Sequence, residues 1–240
     1  MTLPGFVEVR TCPFCGTDNL HHHKTVTSAP MHEIQFCGGP LSVRTLASYY
    51  ECHTCGLILQ TPRMTDERIA QYYASGLYRA TLGIPQEVLD YSEKQRGEHL
   101  AEWLLVQHIR PASHLDIGCS RTYFLDMVDA PDKLGFDENT VYAGDGVYVE
   151  GDRTRLGKYE LVTAIHVLEH TTDPQAQLAW YASLSIRHVL VEVPQVGAPL
   201  RFPHLFYFKP AILVKMMQDT GLNIIKVETE SDTRILASVL

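Results

Sequence analysis

The sequence predicts an α/β protein: a Rossmann-like, doubly wound sheet domain preceded by a small N-terminal zinc ribbon. Strand and helix patterns alternate from residue 113 to 225, which marks a sheet covered by helices on both faces. Residues 113–125 read as a short apolar strand, a tight Gly turn and the start of a helix. Two C-x-x-C-G knuckles, Cys12-Pro-Phe-Cys15-Gly16 and Cys52-His-Thr-Cys55-Gly56, stand 36 residues apart (16 to 51) near the start of the chain. Together they offer four thiolates, the ligand set of a closed tetrahedral zinc site that stabilises a fold rather than performing hydrolysis.

Composition narrows the classes. The 240 residues suffice for one sizeable core and a small satellite. Lys and Arg number 20 against 28 Asp and Glu, a formal charge of −8, which argues against broad nucleic-acid binding through phosphates. No apolar run approaches the ~18 residues of a membrane span, and the first ten residues carry no signal-peptide core, so a cytoplasmic protein with no membrane partner is the expectation. In a reducing compartment, paired C-x-x-C motifs favour metal over disulfides.

Taken in order, residues 1–64 are expected to form the ribbon and 65–240 the larger domain, with 65–112 a helical lead-in and 113–240 the sheet core. Alternation over 41–50 suits ribbon strands. Cys37 reads as a packed or loop thiol, and His21-His22-His23 as a solvated loop. A strand follows Gly56 and stops at Pro62. Thr65 is an N-cap, with Asp66 and Glu67 in the first turn of a short helix ending in Tyr72-Tyr73. Residues 86–109 form one long helix or two, with Gly97 a candidate break and Pro111 the end.

The strand at 113–118 ends on Asp116 and Gly118, where ligands sit in parallel α/β sheets, and the turn continues through Cys119 and Ser120. A second strand admits two readings: a short one near 134–137 ending on Asp137, or 141–145 ending on Asp145, which 147–150 follows too closely for a parallel neighbour. The first is preferred. A buried strand over 161–165 leads into His166, Glu169 and His170, and Thr172-Asp173-Pro174 starts a helix. A strand over 186–194 stops at Pro194. The loop 195–208 carries His204 and Phe206-Tyr207-Phe208, a helix runs to Gly221, and 223–228 and 234–239 are closing strands.

The 113–125 segment resembles the first motif of class I S-adenosylmethionine (SAM)-dependent methyltransferases, apolar-Asp-apolar-Gly-x-Gly-x-Gly. Gly118 holds the first Gly position, while Ser120 and Thr122 stand at the other two. Thr122 is β-branched, so a positive φ is not expected there. The segment Val167-Leu-Glu-His170 also matches that family, and Cys52-x-x-Cys-Gly-Leu-x-x-x-x-Pro62 with Tyr72-Tyr73 resembles zinc-ribbon methyltransferases, sugar C-methyltransferases among them. The resemblance implies SAM as cofactor beside structural Zn²⁺. It implies Asp116, Gly118, Cys119, Ser120 and His166 at the cofactor, Asp137 on its ribose and Asp152 towards its adenine.

It also implies a small-molecule or sugar-containing acceptor, with His170, Glu169, His166 and His204 as acid/base groups. His suits proton removal near neutrality, and an adjacent Glu raises its basicity. The alternative is a zinc-stabilised, catalytically inactive binding or assembly module with a protein partner. A third reading is an enzyme that modifies a macromolecule docked on the ribbon.

Overall fold

A computed structural model of the chain describes residues 5–27, 34–36, 39–41, 46–74, 85–138, 149–201 and 203–239. Cys37, Asp145 and the 141–145 segment lie outside them. The chain divides into two compact units: Met1–Ile84 with Glu169–Asp173 and Pro194–Leu213, and Pro85–Leu168 with Pro174–Val193 and Val214–Leu240.

The first unit is built from short strands. β1 (Phe6–Val7) pairs antiparallel with β7 (Arg63–Met64). β2 (Leu20–Thr27), β5 (Leu46–Cys52), β6 (Ile58–Gln60) and β13 (Phe206–Tyr207) form an antiparallel sheet in the order β13-β6-β5-β2. β3 (Ile34–Phe36) and β4 (Gly39–Leu41) form a separate pair. The triple histidine is therefore on a strand rather than in a loop: its three side chains are exposed, and His21 stacks on His53 at 4.0 Å. Thr65 caps α1 (Asp66–Ala74), accepting from the Arg68 N–H at 3.4 Å. Ala47, Tyr49, Ile58 and Tyr207 make the core of this sheet.

In the second unit a seven-stranded sheet has the order β10-β9-β8-β11-β12-β15-β14. Its strands are β8 (Ser113–Ile117), β9 (Asp132–Phe136), β10 (Val149–Glu150), β11 (Tyr159–Ile165), β12 (Ser185–Pro194), β14 (Leu222–Glu228) and β15 (Asp232–Val239). β10, β9, β8, β11 and β12 pair in parallel, and β14 with β15 antiparallel. The sequence order reverses between β8 and β11, which makes that edge the topological switch point where such sheets bind ligands. The second strand is thus the short one that Asp137 follows.

Helix α2 (Gln86–Val106) is continuous through Gly97. A Cβ there would lie 3.1 Å from the backbone of Phe124 in α3 (Tyr123–Met127). Gly97 therefore lets two helices approach closely, and the intrahelical ladder outweighs its weak propensity. Leu100, Trp103, Leu104 and Ile109 join Phe124, Leu161, Leu190 and Leu236 in the core, which also rests on α4 (Pro174–Leu184). Helix α5 (Pro210–Asp219) precedes β14. Among the described residues no helix is long and apolar enough to cross a membrane.

Candidate functional site

The two knuckles bring their sulfurs together. Each turn closes through a glycine N–H on the first cysteine's carbonyl, Gly16 to Cys12 at 2.9 Å and Gly56 to Cys52 at 2.6 Å, and both glycines take positive φ (73° and 81°). Cys12 Sγ lies 3.6 Å from Cys55 Sγ, and Cys15 Sγ 3.6 Å from Cys52 Sγ. A disulfide needs about 2.05 Å, whereas four sulfurs about 2.3 Å from one ion stand about 3.8 Å apart at the corners of a tetrahedron. Burial works against ionisation of Cys52, yet the backbone N–H groups of Cys55 and Thr54 outweigh it and lower its pKa to about 7. The arrangement fits a tetrahedral thiolate site.

In the second unit the carboxyl ends of β8, β9 and β10 and the exit of β11 gather the residues expected at a cofactor. Gly118 has φ 70°, and both it and Cys119 donate to the Phe136 carbonyl (2.7 and 3.3 Å). Ser120 (φ 47°) and Thr122 (φ 63°) also adopt the left-handed region, Thr122 against expectation. Tertiary context explains this: Thr122 is buried, its N–H bonds the Cys119 carbonyl at 2.8 Å, its carbonyl accepts from Asp126, and its hydroxyl donates to the Asp126 carboxylate at 3.1 Å. Those bonds offset a left-handed penalty of about 1–2 kcal/mol. Gly118, Ser120 and Thr122 thus all carry positive φ in one five-residue turn. Gly118 is further required because a Cβ would stand 2.4 Å from Val167 Cγ2, and Gly135 because a Cβ would stand 2.6 Å from Cys119 Sγ.

Asp137, just past β9, accepts the Ser120 N–H at 3.0 Å, so the turn and the acid hold each other. Asp116 is buried and accepts the Thr163 hydroxyl at 2.6 Å. Burial raises its pKa to about 7, the Thr163 hydrogen bond opposes the rise, and the Asp137 charge adds to it. His114, also buried, lies with Nε2 2.8 Å from the same hydroxyl, and burial lowers its pKa to about 3. Glu150, which sequence reasoning missed, is buried at the end of β10 and accepts the N–H groups of Gly151 and Asp152 at 3.0 and 2.9 Å. Asp152 is exposed and caps the 153–155 turn through the Thr154 N–H at 2.9 Å.

The expected His/Glu cluster resolves into two groups. His166 (φ 55°) places Nε2 3.5 Å from both Glu192 Oε1 and Asp232 Oδ2. Glu192 is fully buried. Burial alone would raise its pKa, but the His166 hydrogen bond and the Arg234 charge win and lower it. Arg234 Nε donates to Glu192 at 2.7 Å and its Nη1 to Glu228 at 3.1 Å; Trp103 donates to Glu228 at 2.7 Å and lies under the guanidinium at 5.0 Å. The only sequence signal for this network was a charge inside each of two apolar strands.

The second group, Glu169, His170 and His204, belongs to the first unit. Glu169 is fully buried and its carbonyl accepts the Leu205 N–H at 2.7 Å. The Tyr49 hydroxyl lies 2.5 Å from the Arg201 carbonyl and 2.8 Å from that of His204, anchoring the His204 loop.

No family model and no curated protein matches the sequence. Solved structures do. The chain is similar to magnesium protoporphyrin IX methyltransferase from Synechocystis PCC 6803 with bound SAH (18% identity, 73% of this chain and 100% of that chain, TM-score 0.55). The same enzyme with bound SAM gives 19%, 72%, 95% and 0.54. Burkholderia thailandensis 1,6-didemethyltoxoflavin-N1-methyltransferase, with bound 1,6-didemethyltoxoflavin and S-adenosylhomocysteine, gives 15%, 76%, 95% and 0.55. At these identities the fold is what is shared: this chain has the Rossmann-like methyltransferase fold together with a small, cysteine-clustered N-terminal unit.

Proposed function

We propose that the protein is a SAM-dependent methyltransferase acting on a small-molecule or sugar-containing acceptor. The observation that carries this reading is the 118–122 turn at the switch point, with three positive-φ positions and an N–H latch to Asp137. Asp116, Gly118, Cys119, Ser120, Asp137, Asp152 and His166 are assigned to the cofactor. A ligand bearing a sulfonium and an ammonium suits a rim carrying Asp137 and Asp152, with Glu150 holding the loop that presents Asp152. Bound SAM supplies an activated methyl group. This chain's residues would orient it, exclude water and accept a proton.

The acid/base roles fall to His170, Glu169 and His204 as one group and to His166, beside Glu192 and Asp232, as another. The four cysteines are assigned a structural Zn²⁺. The solved neighbours with bound cofactor support the reading through fold alone. The inactive-module alternative drew on Ser120, Thr122 and the shortened second-strand region; the positive φ of both residues speaks against the first ground.

Calorimetric titration of the zinc-loaded protein with SAM and S-adenosylhomocysteine tests the proposal. Micromolar binding of both is the expected result. Absence of binding at millimolar ligand would overturn it in favour of the binding or assembly module.

A further inference from the structure

We infer that Glu169, His170 and His204 form a second metal site, one that takes a divalent first-row transition-metal ion. The inference rests on the proposed function for its setting and revises one part of it: with an ion bound, the ion and its water take the acid/base role given there to these three residues, and the geometry does not depend on SAM.

The hydrogen bonds around the two imidazoles suit one tautomer of each. Tyr207 Oη accepts the Arg201 N–H at 2.8 Å and donates its own proton to the Pro199 carbonyl at 3.1 Å. With that proton on Pro199, it accepts from His204 Nδ1, 3.0 Å away, which puts hydrogen on that nitrogen. His170 Nδ1 lies 2.8 Å from the Pro203 carbonyl, an obligate acceptor, and so also bears hydrogen; Tyr73 Oη sits 2.8 Å from the same nitrogen. In a neutral imidazole the other nitrogen then offers a lone pair. Both Nε2 atoms are thus set as electron-pair donors.

Those atoms converge on a carboxylate with no solvent exposure. The ligating atoms of Glu169, His170 and His204 all lie within 4.8 Å of one another, and His170 Nε2 is 3.8 Å from Glu169 Oε1. Two imidazole nitrogens and a carboxylate facing one point are a donor set suited to a cation. A proton on His170 Nε2 shared with the carboxylate would draw that nitrogen to about 2.7–2.9 Å from it, closer than the observed 3.8 Å. An ion held about 2.0–2.2 Å from each ligand leaves the donors about 3.4 Å apart, which needs side-chain adjustments of roughly 1 Å or less.

Two further features belong to metal sites. Each histidine hands its Nδ1–H to a carbonyl or hydroxyl acceptor, the outer-sphere contact that orients metal-ligating imidazoles. Two His and one carboxylate leave coordination positions open, unlike four thiolates, so this site would bind water or acceptor oxygens. Imidazole donors favour zinc- or iron-type ions over Mg²⁺ or Ca²⁺, which prefer oxygen shells.

The test measures metal content and cobalt absorption on the full chain after chelation and reloading with Zn²⁺ or Co²⁺. The expected result is two ions per chain in the wild type and one in His170→Gln/His204→Gln and in Glu169→Gln. In every variant the thiolate-to-cobalt charge-transfer band of the four-cysteine site stays intact, which also reports that the first unit has folded. One ion per chain in the wild type overturns the inference, a shared proton then being the occupant. Two ions that persist in both variants overturn it as well. SAM titration of the same samples keeps the readings separate: lost metal with retained SAM binding, or the reverse, assigns failure to one of them.

Discussion

The first unit gathers strands of two to eight residues around four sulfurs and a few buried tyrosines, while the second lays seven strands side by side over a continuous aliphatic core. Short strands bury little apolar area, so the first unit depends on point constraints, and its defining residues cannot be exchanged. The sheet spreads its stability over many ladders and side chains. It holds Ser120 and Thr122 at positive φ within its core contacts. Point constraints fail all at once; a distributed core fails by degrees.

Zinc removal is the largest expected contrast. Chelation, or Cys52→Ser, should abolish protection of amide hydrogens across residues ~10–60 while the sheet unit stays largely protected. Hydrogen exchange read by mass spectrometry separates the two. Equal loss in both units would show that the sheet leans on the ribbon, and no loss in either would remove the structural metal.

The same contrast governs what could be read from the sequence. The sulfur site was legible because a C-x-x-C-G knuckle is local: its turn, its glycine and its two ligands lie within five residues. The short strand before Asp137 was legible because 141–145 and 147–150 stand too close together to be neighbouring parallel strands. The Glu192–Arg234 pair was not, because its partners are set by strand order, β12 beside β15, and neither neighbourhood announces the other. His166 and Glu169 stand three residues apart in one motif, but a left-handed residue at 166 turns the chain directly after β11. His166 therefore stays with Glu192 and Asp232, a separation that sequence spacing does not reveal.

Arg234→Ala is the next effect in size. It leaves Glu192 buried beside a mostly buried His166 and removes the guanidinium from Trp103. Breaking one side of a buried pair costs about 3–5 kcal/mol. Chemical denaturation should locate that loss in the second unit. A loss under 1 kcal/mol would mean that His166 carries the compensation by itself.

Asp116→Asn sharpens the comparison through pH. The folded Asp116 carboxyl titrates near 7, above its ordinary 3.8, so the native state holds a proton that the unfolded chain releases. Its contribution is therefore present at low pH and fades as pH rises from about 4 to 7. Asparagine keeps an acceptor for Thr163 without the charge. The variant should match the wild type at pH 4 and exceed it by about 2–4 kcal/mol at pH 8, while binding SAM at least tenfold more weakly. A pH-independent difference would sink this account of the carboxyl.

Ser120→Gly is the smallest effect and bears most directly on the altered turn. Ser120 sits at φ 47° and donates its backbone N–H to Asp137, a bond that glycine keeps. Relief of the left-handed penalty, about 1–2 kcal/mol, is partly cancelled by glycine's larger entropy loss on folding, about 0.5–1 kcal/mol. The net gain should be about 0.5–1 kcal/mol in stability. If the turn is already poised for the cofactor, SAM affinity should change by less than threefold. A tightening of tenfold or more would mean that the serine Cβ stands in the cofactor's path.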